Sequence, residues 1–262
     1  YMPLNINDEN GFMELNQLSE QLERNYEIPG NRLFYLALAP ELFGTVTENL
    51  EKGGLLQTKG WHRLVIEKPF GYDLESAEQL NARIRNVFDE EEIYRIDHYL
   101  GKDMVQNIEV IRFANTLFEP LWNNKYIDNV QVTLSETVGV EDRGGYYENS
   151  GALRDMGQNH ILQMLAMIAM EPPSRLEPED IRNEKVKVLR SLRPYANYDE
   201  VKHNTVRGQY LRGEDEQGNV LPGYREEELV SANSNTETYF AAKLFVDNFR
   251  WAGVPFYVRT GK

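Results

Sequence analysis

An aspartate and a histidine stand side by side in the motif Arg95-Ile96-Asp97-His98-Tyr99-Leu100-Gly101-Lys102, at the end of a predicted strand. Asp97 and His98 could form an acid–base pair, or the carboxylate could orient a histidine elsewhere in the chain. His98 and Lys102 could equally hold a phosphate group at a helix N-terminus, where backbone N–H groups favour anions. Alternatively, Asp97 is only a helix cap and His98 a half-buried turn residue.

A lysine follows another predicted strand, in Ile66-Glu67-Lys68-Pro69-Phe70-Gly71. A residue before proline is held in an extended conformation, and the glycine that follows permits a sharp turn. This arrangement would place the Lys68 ammonium at the carboxyl end of a parallel strand, where open α/β sheets bind ligands. An ordinary turn with a solvated lysine is the alternative.

A second histidine, His160, belongs to the polar beginning of an otherwise apolar helix. Asp155 and Asn159 precede it, and the stripe that follows on its face is apolar. A lone histidine in such a stripe is usually a hydrogen-bonded core residue. A partly desolvated imidazole beside polar groups is also suited to general-base chemistry near neutral pH. His160 is therefore a candidate base.

Two more charged residues end strand-like segments. Glu136 closes an alternating run over 126–137, and Lys262 closes the run over 254–262. Gly261-Lys262 does not form a phosphate-binding loop, since Phe256 occupies the place of its first glycine. The sequence contains no G-x-G-x-x-G, H-E-x-x-H or G-x-S-x-G motif, so we expect neither a metal site nor serine hydrolysis.

The composition excludes several functional classes. Cysteine is absent, which rules out disulfides and thiolate chemistry and agrees with a reducing cytosol. A net charge of −14 makes nucleic acids and anionic membranes poor partners. No apolar run reaches the roughly 18 residues of a membrane span. We therefore expect a cytoplasmic protein. If this acidic chain binds a phosphorylated small molecule, its lysine and histidine side chains must be clustered at the binding site.

Residues 1–97 alternate helices and strands. Periodicity predicts a helix over 9–26 with Leu15, Leu18, Leu22 and Tyr26 on one face, buried strands at 33–38 and 64–66, and a third strand at 93–96. Helices are predicted between the strands, one of them capped by Asp73. Short connections between alternating elements are typical of parallel βαβ units. Three strands are too few for a complete doubly wound sheet, so we expect further strands upstream of Tyr1.

After residue 97 the pattern changes. Helices are predicted over 103–114 and 149–170, strands within 126–137, 205–211 and 238–246, and a solvated surface lobe over 193–236. The predicted fold is α/β plus α+β. A partial Rossmann-type parallel sheet occupies residues 1–97, and part of an α+β domain with a large antiparallel sheet occupies 98–262.

Four motifs together resemble the glucose-6-phosphate dehydrogenase family, in order and in spacing. They are Glu67-Lys68-Pro69-Phe70-Gly71, the eight residues 95–102, Arg143-Gly144-Gly145-Tyr146 with Gln158-Asn159-His160, and the ten residues 253–262. The resemblance implies that residues 1–97 are the C-terminal part of a dinucleotide-binding domain and that 98–262 belong to the substrate and dimerisation domain. It also implies an enzyme that oxidises D-glucose 6-phosphate to 6-phosphogluconolactone with NADP, or with NAD, in the first step of the oxidative pentose phosphate pathway.

The resemblance implies roles for individual residues as well. His160 would take the proton of the C1 hydroxyl, and Asp97 would orient His160 and stabilise its imidazolium. The implied substrate contacts are Lys68, His98, Tyr99, Lys102, Glu136, Asp155 and Lys262. The implied cofactor contacts are Leu38, Ala39, Pro40, Lys68 and Pro69, with a cis peptide bond before Pro69.

The chain also departs from the family pattern. It lacks the glycine-rich loop and the lysine just after that loop, the family continues beyond Lys262, and Phe43 replaces a tyrosine that contacts the cofactor in many relatives. We expect the whole enzyme to be a homodimer or a dimer of dimers, and these 262 residues alone to show little or no turnover. A non-catalytic sugar-phosphate-binding module and a structural dimerisation module are the alternatives.

Overall fold

The computed structural model describes residues 1–262, which form two compact units, Tyr1–Asp97 and His98–Lys262. They are called the first unit and the second unit below. None of the helices combines the length and the apolar character that crossing a membrane requires.

The first unit contains a three-stranded parallel sheet in the order β1-β2-β3, made of β1 (Arg32–Leu36), β2 (His62–Ile66) and β3 (Ile93–Arg95). Three helices accompany it, α1 (Glu9–Asn25), α2 (Phe43–Lys52) and α3 (Leu74–Arg85). The predicted parallel βαβ arrangement is confirmed. Asp73 caps α3 as expected, because its carboxylate accepts the N–H of Ser76 at 2.8 Å.

The expectation that β1 is a buried strand is wrong, and the apolar face predicted for α1 is partly exposed. In α1, Leu18, Leu22 and Tyr26 are 38%, 43% and 71% exposed, and Phe12 is the buried residue. In β1, Leu33 and Tyr35 are about half exposed, whereas Leu36 is buried. Successive side chains of a strand alternate between the two faces of a sheet. Only the face that carries Leu36 packs into this unit's core, so an apolar run did not imply burial on both sides.

The second unit contains a four-stranded sheet in the order β4-β9-β8-β5. The strands are β4 (Val130–Ser135), β5 (Thr205–Gly208), β8 (Tyr239–Phe245) and β9 (Pro255–Gly261). The expected sheet is present, but it is mixed, because β4 runs parallel to β9 while the other pairs are antiparallel. A long connection separates β4 from β9, so no hairpin imposes antiparallel pairing on them. A separate small hairpin joins β6 (Gly213–Glu214) to β7 (Val220–Leu221).

The helices of the second unit are α4 (Asp103–Phe113), α5 (Gly144–Ala152), a π-helix (Leu153–Ile161), α6 (Leu162–Ala169), α7 (Pro178–Arg190) and α8 (Tyr198–Asn204). The single helix predicted over 149–170 is thus three consecutive segments. Sequence reasoning missed α7, although it carries ordinary boundary signals. A proline stands at its first position, acidic residues occupy its first turn and basic residues its last.

The segment 193–236 is not wholly a solvated lobe. Tyr224 is 1% exposed and packs with Tyr147 and Val140 in a small third core. Its hydroxyl donates to the carboxylate of Glu148 at 2.7 Å. A tyrosine buried in this way needs a polar partner for its hydroxyl, and that partner comes from α5. The polar composition of the segment concealed this contact.

Gly144 and Gly145 offer a matched test of packing at the start of α5. A Cβ atom at Gly144 would lie 2.1 Å from the carbonyl oxygen of Glu228, whereas one at Gly145 would meet Leu229 at an ordinary 3.6 Å. We expect Gly144→Ala to destabilise the fold by about 1–3 kcal/mol or more. Gly145→Ala should be neutral or stabilising by up to about 1 kcal/mol, since alanine is the better helix former. Urea unfolding of the two variants in parallel checks this, and equal stabilities would refute it.

Candidate active site

The imidazole of His160 and the ring of Tyr99 are stacked in the second unit. Their centroids are 4.2 Å apart with an interplanar angle of 23°. The ring of His98 lies edge-on to both, 4.8 Å from His160 and 4.9 Å from Tyr99. His160 is fully buried and His98 is exposed. The aromatic cluster therefore runs from the solvent to an imidazole shielded from bulk water.

Lys102 adds a cation to this cluster. Its Nζ lies 3.6 Å from the centroid of the Tyr99 ring, within the range of a cation–π interaction. Lys102 is exposed and directly precedes α4, and no side chain caps the first N–H groups of that helix. A lysine and the N-terminus of a helix both favour an anion. The phosphate-binding role predicted for Lys102 is therefore chemically reasonable here.

The π-helix carries both Asp155 and His160. In an α-helix, at about 100° per residue, side chains five positions apart would point about 140° away from each other. A π-helix bonds residue i to residue i+5 and so brings residues five apart towards the same face. The π-helix therefore turns the side chains of Asp155 and His160 towards the same face, which the prediction of an ordinary helix did not anticipate.

A glycine and a glutamate define where the π-helix begins. Gly151 has φ 68° and ψ 171°, which breaks the helix at that point. The carboxylate of Glu237 accepts the N–H of Leu153 at 3.1 Å, and its backbone carbonyl accepts the N–H of Ala152 at 2.9 Å. Glu237 therefore caps the segment that bears His160. Gly151 was the one signal in the sequence for this break, and the prediction of a continuous helix over 149–170 did not take it into account.

Asp155 is held by a residue that the sequence analysis did not assign to the site. The hydroxyl of Tyr146 donates to Oδ1 of Asp155 at 2.9 Å, and Asp155 is only 5% exposed. Burial raises the pKa of Tyr146, so its hydroxyl stays protonated and remains a donor at neutral pH. Tyr146 ends the Arg-Gly-Gly-Tyr motif, which was the available signal for its importance.

Glu136 and Lys262 form an ion pair across two strand ends. The β4–β9 ladder reaches Ser135 opposite Gly261, and the next residues meet with Nζ of Lys262 2.5 Å from Oε2 of Glu136. Lys262 Nζ also lies 5.7 Å from the ring centroid of Tyr147. Burial raises the pKa of Tyr147 far above its usual value, and the negative charges of Asp155, Glu237 and Glu136 add to that effect. The Tyr147 hydroxyl therefore feels the charge of Asp155 in the π-helix and that of Glu136 at the end of β4.

The predicted cofactor residues all belong to the first unit. Segment 38–40 follows β1 and segment 68–69 follows β2, and Leu36 pairs with Ile66 in the parallel ladder. Both segments therefore leave the same edge of the sheet. An apolar stretch beside a lysine at the carboxyl edge of parallel strands fits one end of a dinucleotide. The expected cis peptide bond at Lys68-Pro69 is present.

The first unit also contains Phe43 and Asp97. Phe43 is fully buried as the first residue of α2, so it serves the core here. Asp97 is the last residue of the unit and directly precedes His98 in the chain.

Both units match models of one protein family. Residues 1–107 match the model described as "Glucose-6-phosphate dehydrogenase, NAD binding domain", and residues 109–262 match "Glucose-6-phosphate dehydrogenase, C-terminal domain". The chain belongs to the glucose-6-phosphate dehydrogenase family. The resemblance inferred from the four motifs is thereby confirmed.

Individual members of the family agree with this assignment. The glucose-6-phosphate 1-dehydrogenase of Bacillus subtilis (strain 168) is 62% identical over the whole chain, and that of Aggregatibacter actinomycetemcomitans is 51% identical. A solved glucose-6-phosphate dehydrogenase in complex with its substrate glucose-6-phosphate superposes with a TM-score of 0.89 at 40% identity, covering 100% of this chain and 52% of that one. The two curated relatives are each covered over 53% of their length. The chain thus spans about half the length of the relatives it matches.

Proposed function

We propose that the whole protein oxidises D-glucose 6-phosphate to 6-phosphogluconolactone, with NADP as the hydride acceptor. The observation that carries the proposal is the cluster of Lys102, Tyr99 and His160. It places an exposed cation and a buried imidazole on one aromatic ring. The phosphate of a phosphorylated sugar requires a cation such as Lys102, and oxidation of its C1 hydroxyl requires a base such as His160.

His160 acts as the general base in this proposal. It accepts the proton of the C1 hydroxyl while the C1–H bond breaks and its electron pair leaves as hydride, so that C1 gains its double bond to oxygen. General-base assistance of this kind contributes about 10²–10⁴-fold to a rate. The full burial of His160 keeps competing water away from the proton that it takes.

The remaining polar groups of the second unit bind and orient the sugar. His98, Tyr99 and Lys102 hold the phosphate at the start of α4. Glu136, Asp155 and Lys262 contact sugar hydroxyls, as carboxylates and an ammonium suit such groups. Tyr146 keeps the Asp155 carboxylate in place through its hydrogen bond of 2.9 Å. Fixing these groups before the substrate arrives lowers the cost of orienting it.

The nicotinamide cofactor supplies the acceptor for the hydride when it is bound. Leu38, Ala39, Pro40, Lys68 and Pro69 would hold it at the carboxyl edge of the parallel sheet. The choice of NADP over NAD rests on the resemblance, as do the substrate contact proposed for Lys68, the orienting role proposed for Asp97 and the dinucleotide-binding and substrate roles of the two units. The same resemblance supports a cytoplasmic homodimer or dimer of dimers.

The proposal is tested by recording absorbance at the reduced-nicotinamide band with the full-length protein. We expect turnover with glucose 6-phosphate and NADP, slower turnover with NAD, and none with unphosphorylated glucose at the same concentration. The 262-residue chain assayed in parallel should be nearly inactive, since it lacks a glycine-rich loop for the pyrophosphate. No turnover of the full-length protein with either cofactor, despite measurable binding of glucose 6-phosphate, would favour a non-catalytic sugar-phosphate-binding module.

A further inference from the structure

The C-terminal end of α6 is closed by three side chains from elsewhere in the second unit. The last C=O groups of an α-helix have no partner within the helix. Here three consecutive carbonyls each accept one N–H at 2.8 Å: Met167 from Nη1 of Arg112, Ile168 from Nε1 of Trp122, and Ala169 from Nε1 of Trp251. We call these three donors the α6 cap. Protein groups, not solvent, therefore hold the end of the helix that follows His160.

Two donors of the α6 cap, Arg112 and Trp251, belong to or adjoin elements that lie next to proposed substrate contacts. Arg112 belongs to the last turn of α4, and α4 begins directly after Lys102. Trp251 lies in the loop before β9, which ends next to Lys262. The π-helix and α6 are continuous and carry His160. The α6 cap thus connects three elements, namely α4, the segment that leads into β9, and the continuous helix that carries His160. Each of them carries or adjoins a proposed substrate contact.

The α6 cap is a largely buried contact. Arg112 and Trp251 have no exposed surface. The Arg112 guanidinium is 3.3 Å from the Glu119 carboxylate and lies over the Trp122 ring, 5.7 Å from its centroid. Burial lowers the pKa of Arg112 to about 10, so it remains charged at neutral pH. A buried charge is stable only beside groups that compensate it. The bonds that Arg112 donates to Met167 and Glu119 therefore restrict where α6 can lie along α4.

We propose that Arg112, Trp122 and Trp251 are positioning residues that fix the axial position of His160 against Tyr99 and Lys102. This inference rests on the proposed function. The 11 residues of α4 form a rod about 16 Å long at 1.5 Å per residue, anchored to α6 by Arg112 at one end. Tyr99, beside its other end, stacks on His160. Releasing the anchor would let the rings slide, and a displacement of about 1 Å can cost on the order of 10² in rate.

The test uses full-length Trp122→Phe/Trp251→Phe, which keeps aromatic rings at both positions and removes both N–H donors. Trp61→Phe is the matched control, because Trp61 is the remaining tryptophan of these 262 residues, is 43% exposed and lies in the first unit. We expect kcat to fall about 10–100-fold in the double variant. The KM for glucose 6-phosphate should stay within about threefold, since Lys102 and Tyr99 keep their mutual contact. The primary isotope effect with C1-deuterated substrate should rise, because the proton and hydride step becomes slower.

Two outcomes separate the inference from its rivals. An unchanged kcat and isotope effect, with only a lower melting temperature, would show that the cap merely stabilises the fold and would overturn the inference. Absence of turnover in the unaltered protein and in Trp61→Phe would refute the proposed function instead. If circular dichroism shows the double variant unfolded at the assay temperature, the single Trp122→Phe variant, at a partly exposed position, gives the same comparison.

Discussion

Replacing His160 by asparagine is expected to lower kcat of the full-length protein by about 10²–10⁴-fold, with little change in the KM for glucose 6-phosphate. Asparagine remains polar and of similar size but cannot accept the proton of the C1 hydroxyl. Since His160 is fully buried and stacked on Tyr99, no solvent-exposed group replaces it at that position. Steady-state kinetics with NADP, together with a direct binding measurement for the sugar phosphate, check both halves of this expectation.

His203→Asn is the control for His160→Asn. His203 is an exposed histidine in α8, in the same unit, so the chemical change is identical and the location differs. Its kinetic constants should match those of the unaltered protein. If His160→Asn retained more than about a tenth of the activity, or if both variants lost activity equally, His160 would not be the general base.

Replacing Lys102 by methionine is expected to raise the KM for glucose 6-phosphate by about 10–100-fold, with a smaller effect on kcat. A hydrogen bond to a charged group contributes about 1.5–3 kcal/mol, and about 1.4 kcal/mol corresponds to a factor of ten. Methionine keeps the length and the apolar stem that lie against the Tyr99 ring but removes the ammonium. Added salt should weaken substrate binding less in the variant, because one charge–charge attraction is gone.

Lys125→Met provides the control for Lys102→Met, since Lys125 is an exposed lysine of the same unit. Lys102→Arg, which keeps the charge, should fall between the unaltered protein and the methionine variant. A KM for Lys102→Met that is unchanged from that of Lys125→Met would contradict the phosphate-binding role of Lys102. It would leave the cation–π contact with Tyr99 as a purely structural feature.

Much of the first unit follows from local rules that operate over a few residues. The strands β1 to β3 and the cap of α3 by Asp73 agree with expectations drawn from neighbouring residues. The cis bond at Lys68-Pro69 agrees with what the family resemblance implies. The exposure of Leu18 and Leu22 does not follow from such local rules. A periodic apolar stripe predicts a helix correctly, yet which part of the stripe is buried depends on what packs against it.

The second unit shows more clearly where sequence reasoning ends. His98, Lys102, Asp155 and His160 were named as candidates because polar side chains in those patterns can move protons or bind anions. Tyr146 was not assigned to the site, because its hydrogen bond to Asp155 depends on the break at Gly151 and on the π-helix that follows it.

The sequence by itself determined the family, the order of the strands and helices in the first unit, and most of the residues proposed for chemistry, because motifs and periodicity are properties of neighbouring residues. Only the tertiary structure decided the parallel pairing of β4 with β9, the π-helix that brings Asp155 and His160 to one side, and the α6 cap. The strand pairing and the α6 cap join residues that lie far apart in the chain. The start of the π-helix is likewise held by a remote residue, Glu237. Their free energy comes from packing and from buried hydrogen bonds, which no local pattern records.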